Sequence, residues 1–349
     1  MQLIELSRRL KSAYLREGGV VPRRLRHLEG WMDRAGGTDD AASYDHTETV
    51  KDYYDLCNEF MVFGWGESLH FAPLSPDERL EDSQIRHQRL MIERLDLQAG
   101  MNVIDVGCGV GGPMRRVVRE AGVRVTGVNI NEIQLERAQS LGAEAGIDEM
   151  ADYLCASFMD MSAIPDATFD RGYAIESTCH APDKEGAFAE INRVLKPGAL
   201  FWGQEMCMTD RFAPGDPRHQ EIKRELQQGI ALKEIATTGE VDRALEAAGF
   251  EVVEGQDLGI VQQGASMPWY QPVEWYAGAR GGILNRLLGR RVFIGGTRIA
   301  ELLRIFPEGS TDVIRMMDRT AQAYIAGGQT GIFTPLYCFL ARKPYNTAR

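Results

Sequence analysis

Between Met101 and Asp257, short apolar runs alternate with amphipathic ones, and this alternation restricts the chain to an α/β fold. The runs MNVIDVG, VRVTGVNIN, ADYLCASF, FDRGYAIES and GALFWGQEMCM read as strands; GPMRRVVREAG, EIQLERAQSLGAEAG and DKEGAFAEINRVL read as helices. The order predicts a doubly wound parallel sheet with ligands at the carboxyl ends of its strands. TTGEVDRALEAAGFEVVEGQDLG adds a helix, capped by Gly249, and a strand; TPLYCFLARKP reads as a last strand. Residues 1–45 read as charged helix and loop, and residues 81–97 as a helix leading into the first strand. Residues 46–72 gather Tyr53, Tyr54, Phe60, Phe63, Trp65, His70 and Phe71 around a Gly-Trp-Gly turn. Three segments follow: an N-terminal helical cap with an aromatic stretch (1–80), an α/β core (81–261) and a C-terminal substrate-binding or lid region (262–349).

Composition narrows the class. Lys plus Arg number 39 against 50 Asp plus Glu, a net charge of −11, so nucleic acid, which needs a concentrated basic surface, is not an expected partner. Six scattered cysteines without a CxxC pair predict reduced thiols and no metal site. The sequence has no signal-peptide pattern and no run of 18 uncharged apolar residues, so a cytoplasmic protein is expected.

The loop VIDVGCGVGGP (103–113) carries Gly107, Gly109 and Gly112 at GxGxxG spacing, with Gly111 and Cys108 between them. A strand–glycine loop–helix unit brings a ligand close to the main chain and to a helix's positive end. That much is common to NAD, FAD and other adenosyl cofactors. Asp105 at the lip would repel a pyrophosphate and attract an ammonium. Where a dinucleotide site wants an acid for the ribose diol, GVNINEIQ offers Asn129, Asn131 and Gln134. Ser157, Phe158 and Met159 in CASFMDM suit an adenine edge and face. S-adenosyl-L-methionine fits this set: it has adenosine, no phosphate, an ammonium for Asp105 and a carboxylate for glycine N–H groups. A nicotinamide cofactor remains the rival, and a strand–helix turn without ligand is the plain alternative.

YYDLCNEFMVFGWGESLHF, VIDVGCGVGGP, GVNINEIQ, YAIESTCHAPDKEGAFAEINRVLKPGALF and MPWYQPVEW together resemble the sterol 24-C-methyltransferases, from about Tyr44 to Pro344. The glycine loop is generic to methyltransferases; FGWGESLHF and AIESTCHAPD are specific. The resemblance implies a class I, Rossmann-like methyltransferase fold, S-adenosyl-L-methionine as donor with S-adenosyl-L-homocysteine as product, and a Δ24 sterol as acceptor. It also implies that FGWGESLHF helps build the sterol pocket. Ser157 stands where the family commonly has an acid. A tocopherol-type lipid methyltransferase and a non-catalytic sterol-binding protein are the other readings.

The implied reaction sets the search for side chains. An unactivated olefin attacks a sulfonium methyl and leaves a carbocation, which aromatic faces stabilise by ~0.5–2 kcal/mol each. Tyr53, Tyr54, Phe60, Phe63, Trp65, Phe71, Tyr173, Trp269 and Tyr270 are candidates for the substrate site, with core packing the favoured reading for Phe60 and Phe63. After a hydride shift a base removes a proton. Glu176 and His180 follow the fourth strand, Glu205 ends the apolar run of the fifth, and His70 and Asp52 flank the aromatic stretch; Glu176 could also steady the sulfonium. Residues 283–306 carry Arg286, Arg290, Arg291, Arg298 and Arg304 among Leu, Ile and Phe. They read as a lid or pocket wall, a contact between copies in a homo-oligomer, or a peripheral membrane contact.

Overall fold

The structure, a computed structural model, describes residues 2–15, 46–260, 266–276 and 294–345. In chain order its elements are α1 (Gln2–Leu15), α2 (His46–Trp65), α3 (Leu80–Arg94), β1 (Asn102–Val106), α4 (Gly112–Ala121), β2 (Arg124–Asn129), α5 (Glu132–Ala145) and β3 (Ala151–Cys155). There follow β4 (Phe169–Ile175), α6 (Lys184–Val194), β5 (Leu195–Met208), α7 (Pro217–Ile230), α8 (Thr238–Ala247), β6 (Glu251–Asp257), α9 (Gln271–Tyr276), α10 (Ser310–Thr330) and β7 (Phe333–Arg342). Residues 294–302 are also helical.

These elements form two compact units. The first takes Glu67–Asp210, Ile235–Trp269 and Phe333–Arg349, and its sheet has the order β3-β2-β1-β4-β5-β7-β6. The expected parallel pairing holds from β3 to β5. It fails at β7, which slots between β5 and β6 and runs antiparallel to both. Composition explains the inner place: FTPLYCFLAR is buried over its first seven residues, as a strand covered on both faces must be. The ladder shifts register between Glu205 and Cys207, beside Pro335, whose nitrogen has no hydrogen to give.

Alternation along β5 divides the core. Phe201 and Cys207 join Phe188, Ile191, Val241, Leu245 and Phe339 on one face. Trp202 joins Met91, Leu95, Met114, Val117 and Tyr173 on the other. Helix stops are readable: Gly122 and Gly146 end α4 and α5 in left-handed conformation, and Asp183 caps α6 through the Gly186 N–H.

The second unit takes Met1–Gly66, Arg211–Glu234 and Tyr270–Ile332. Leu6, Leu10 and Tyr14 of α1 pack with Tyr53, Leu56 and Phe60 of α2 and Val313, Ile314 and Met316 of α10. The aromatic stretch is therefore helical through Trp65, and the expected Gly-Trp-Gly turn is corrected: the chain leaves the helix only at Gly66. Gly64 and Trp65 stay helical because a single glycine in a helix costs only ~1 kcal/mol.

Phe339 meets the rings of Phe188 and Phe201 at 5.9 and 5.5 Å, whereas Phe63 is 42% exposed. Phe339→Ala is expected to lower unfolding free energy by about 3–5 kcal/mol and Phe63→Ala by less than about 1, read by urea denaturation.

Candidate active site at the carboxyl ends of the strands

The glycine loop follows β1 and opens α4. Gly107 adopts φ +80, and a Cβ there would lie 2.2 Å from that of Ser177, whose hydroxyl donates to the Val106 carbonyl. A Cβ on Gly112 would lie 2.3 Å from the Glu67 carbonyl oxygen. Two motif glycines are thus demanded by close approach within the protein, Gly107 by the Ser177 side chain and Gly112 by the Glu67 backbone. The amides of the loop are not equivalent. The N–H groups of Gly107 and Cys108 donate to the Val128 carbonyl at 2.8 and 3.1 Å. Those of Gly109 and Val110 have no acceptor among the described residues, and the space where a Gly109 Cβ would sit is open. Gly111 caps α4 at φ +73.

Asp105 is the penultimate residue of β1 and is 3% exposed. Among the described residues its carboxylate has one donor, the Tyr173 hydroxyl at 2.9 Å. Burial outweighs that bond and pushes its pKa up to about 7. Tyr173 is itself fully buried, so it supports Asp105 from within the core.

Glu176 lies one residue beyond β4. It adopts φ +52, a left-handed conformation that costs a residue with a Cβ ~1–2 kcal/mol. The turn lets its N–H donate to the Gln204 carbonyl and sends its carboxyl inward, where Oε1 accepts the Phe71 N–H and the Gln204 amide, both at 2.6 Å. Its other oxygen accepts nothing among the described residues. Burial holds this carboxyl well above the usual range, against the pull of those two donors.

Around Glu176 runs a buried polar web. The Gln204 amide also donates to the carbonyls of Pro335 (3.0 Å) and Phe71 (3.2 Å). Its carbonyl accepts from His87 Nε2 at 2.7 Å. His70 Nδ1 faces the Phe71 carbonyl at 2.7 Å, which can only accept, so the proton is on Nδ1 and Nε2 accepts from the Gln88 amide at 2.8 Å. Gln84 donates to the carbonyls of Ser68 and His70. Burial lowers the pKa of His70 to about 4 and of His87 to about 3, so both are neutral near pH 7.

Glu205, fully buried, accepts from the Thr178 hydroxyl and pairs with Lys184 at 2.9 Å. Burial opposes the Lys184 charge, but Glu205 more than offsets this and raises its pKa. Both oxygens of Glu205 are engaged. Gln204 and Glu205 are consecutive in β5, so they reach opposite faces of the sheet.

The other candidates are dispersed. Asn129 accepts from the Asn131 N–H and donates to Gln134 at 2.8 Å, while Asn131 caps α5 through the Gln134 N–H. Ser157 turns the chain after β3, accepting from the Met159 N–H; Phe158 lies in the core and Met159 against it. His180 is buried in the short turn Thr178–His180 after Glu176. Phe71 and Trp269 meet edge to face at 5.3 Å. Asp52, Tyr53, Tyr54, Phe63, Trp65 and Tyr270 belong to the helical unit, where Tyr53 is buried in the core with Phe60. Sequence reasoning missed Gln84, His87, Gln88 and Gln204. Their signal was a polar stripe at i, i+3 and i+4 on α3, and a glutamine inside an apolar strand.

A seven-stranded sheet with one reversed strand, a glycine loop after β1 and acids at the strand ends defines a class I methyltransferase. The chain matches the family described as Mycolic acid cyclopropane synthetase over residues 42–274 and Sterol methyltransferase C-terminal over 285–345. It is 41% identical over 309 residues to cycloartenol-C-24-methyltransferase of Arabidopsis thaliana, covering 88% of this chain and 91% of that protein. It is 35% identical to the sterol 24-C-methyltransferase of Eremothecium gossypii, covering 93% and 88%. Among solved structures it resembles the Mycobacterium tuberculosis cyclopropane synthase MmaA2 (TM-score 0.66, 20% identity, 87% of this chain and 100% of that one). It also resembles the mycolic acid cyclopropane synthase CmaA1 complexed with SAH and CTAB (0.67, 19%, 86% and 100%). The chain belongs to the sterol 24-C-methyltransferase family and is an enzyme of the methyltransferase class.

Lys184→Met strands the buried Glu205 charge and is expected to cost about 3–5 kcal/mol of stability, with Lys184→Met/Glu205→Met recovering most of it in urea denaturation. An unaffected single variant would contradict the pairing.

Proposed function

We propose that the protein transfers a methyl group from S-adenosyl-L-methionine to carbon 24 of a Δ24 sterol side chain. The observation that carries the reading is a shortage of positive charge. Asp105, inside β1 near its carboxyl end, and Glu176, just after the adjacent β4, are buried carboxyls, each with pKa raised by burial and neither with a cationic partner among the described residues. A donor bearing an ammonium and a sulfonium supplies what they lack. The open space at Gly109 and the N–H groups of Gly109 and Val110 suit its carboxylate. The linked pair Asn129–Gln134 suits the ribose, with Ser157, Phe158 and Met159 toward adenine.

The donor supplies an electrophilic methyl group; the remaining work falls to the chain. The side-chain double bond gives its electron pair to the new carbon–carbon bond. The resulting tertiary cation is favoured by the apolar, aromatic surroundings of Phe71 and Trp269, which offer π faces and no nucleophile. After a hydride shift, Glu176 in its ionised form takes the departing proton on the oxygen that no donor among the described residues occupies. The Phe71 N–H and Gln204 amide hold the other oxygen and fix the carboxylate plane. Glu205, locked to Lys184 and Thr178, steadies the turn after Glu176 instead of moving a proton. His70, with both ring nitrogens engaged, positions Phe71. His180, in the same turn as Thr178, remains a candidate for sterol contact.

The match to the cyclopropane synthetase family over residues 42–274 favours one second reading, methylation of another lipid olefin by the same chemistry. Incubation with labelled S-adenosyl-L-methionine and a panel of Δ24 sterols and non-sterol lipid olefins separates the two by product mass. A 24-methylated or 24-methylene sterol is expected; label in the non-sterol olefins alone overturns the sterol reading. Glu176→Gln keeps the acceptor for Phe71 and is expected to lower kcat by roughly 10²–10⁴ with sterol KM changed only a few-fold.

A further inference from the structure

In the helical unit, residues 294–306 turn one side inward and the other to water. Ile294, Ala300 and Phe306 pack on the core of α1 and α2, and Thr297 is buried. Glu301 fastens the stretch to the start of α10: its carboxylate accepts the N–H groups of Gly309 and Thr311, both at 2.9 Å, and the Thr311 hydroxyl. Ser7 of α1 donates to the Ile305 carbonyl. The outward side is therefore held in place. It carries Ile299, Leu302, Leu303 and Ile305 at 59, 76, 65 and 45% exposure, and Ile4, one turn before Ser7, is 77% exposed. Arg298 and Arg304 stand exposed among them, with no ion pair between described residues. Two arginines that no described carboxylate pairs, set on an apolar ledge, run against the chain's net charge of −11.

Three roles were open for this stretch. A pocket wall encloses its apolar side chains on several sides, whereas Leu302 and Leu303 are 76 and 65% exposed. A specific contact between copies takes roughly 20–30 residues a side, and the ledge offers far fewer among the described residues. We propose that residues 298–305 dock the protein on an anionic lipid surface, with Leu302 and Leu303 entering the acyl boundary and Arg298 and Arg304 meeting lipid phosphates. Such a surface is also where a sterol acceptor is collected, so the proposal gives the sterol reading a route of supply without resting on its chemistry.

Flotation of the purified full chain with vesicles tests this, using phosphatidylcholine alone and phosphatidylcholine with phosphatidylserine. Wild type is expected to float preferentially with the anionic vesicles, less so as salt rises. Leu302→Asp/Leu303→Asp is expected to lose binding on the order of tenfold or more. Arg298→Gln/Arg304→Gln is expected to lose roughly fivefold per arginine, on anionic vesicles only. Unchanged turnover of the variants with cyclodextrin-delivered substrate shows that they fold. Where no substrate turns over, matching wild-type thermal denaturation serves as that check, and flotation still decides the docking by itself. Wild type that stays below the vesicles, or a double Asp variant that floats equally well, overturns the proposal. So does a double Asp variant that floats normally but changes its sedimentation mass, which would make the ledge a contact between copies.

Discussion

The structure turns on two carboxyl groups that are out of water and out of reach of any cation the described protein supplies. A buried carboxylate without a partner gives up its charge, and the pKa of Asp105 rises to about 7 for that reason. Glu176 is pushed in the same direction although two donors grip it. Both stand at the carboxyl ends of neighbouring parallel strands, where α/β sheets place their ligands. Such an arrangement costs stability in the empty protein and is relieved by a ligand that brings positive charge.

Much of the surrounding architecture serves to keep Glu176 there. Its left-handed backbone is a strained conformation that persists because the neighbours over-determine it. Gln204 accepts its N–H through the main chain and holds its carboxyl through the side chain. The same amide reaches the Phe71 and Pro335 carbonyls, so β7 and the segment carrying Phe71 are tied to one group. Next to Gln204 the β5 ladder shifts register, and Glu205 turns to the opposite face to pair with Lys184. Consecutive polar residues in one strand thus fasten two different surfaces of the site.

Most of the fold was legible because strand and helix periodicities are local. The glycine loop and the caps of α4, α5 and α6 could be read within a few residues of where they act. The reversal of β7 could not, because strand direction depends on partners over a hundred residues away. The meeting of α1, α2, α7 and α10 in one unit is equally non-local. In the site, Asp105 and Glu176 stood out as acids at strand ends. Nothing local separates Glu176 from Glu205; the difference lies in Lys184, one helix start away. Gln84, His87 and Gln88 escaped notice because a polar stripe on a helix ordinarily faces water, and here it faces Ser68, His70 and Gln204.

The central claim is that binding the donor ionises buried acids. Its most direct test is the number of protons exchanged when S-adenosyl-L-methionine binds, obtained by calorimetry near pH 6.5 in two buffers of different ionisation enthalpy. The account predicts net proton release, about one for each raised carboxyl that ionises, and less with S-adenosyl-L-homocysteine, which lacks the sulfonium charge. Binding of the donor with no proton released, or with proton uptake, would contradict it.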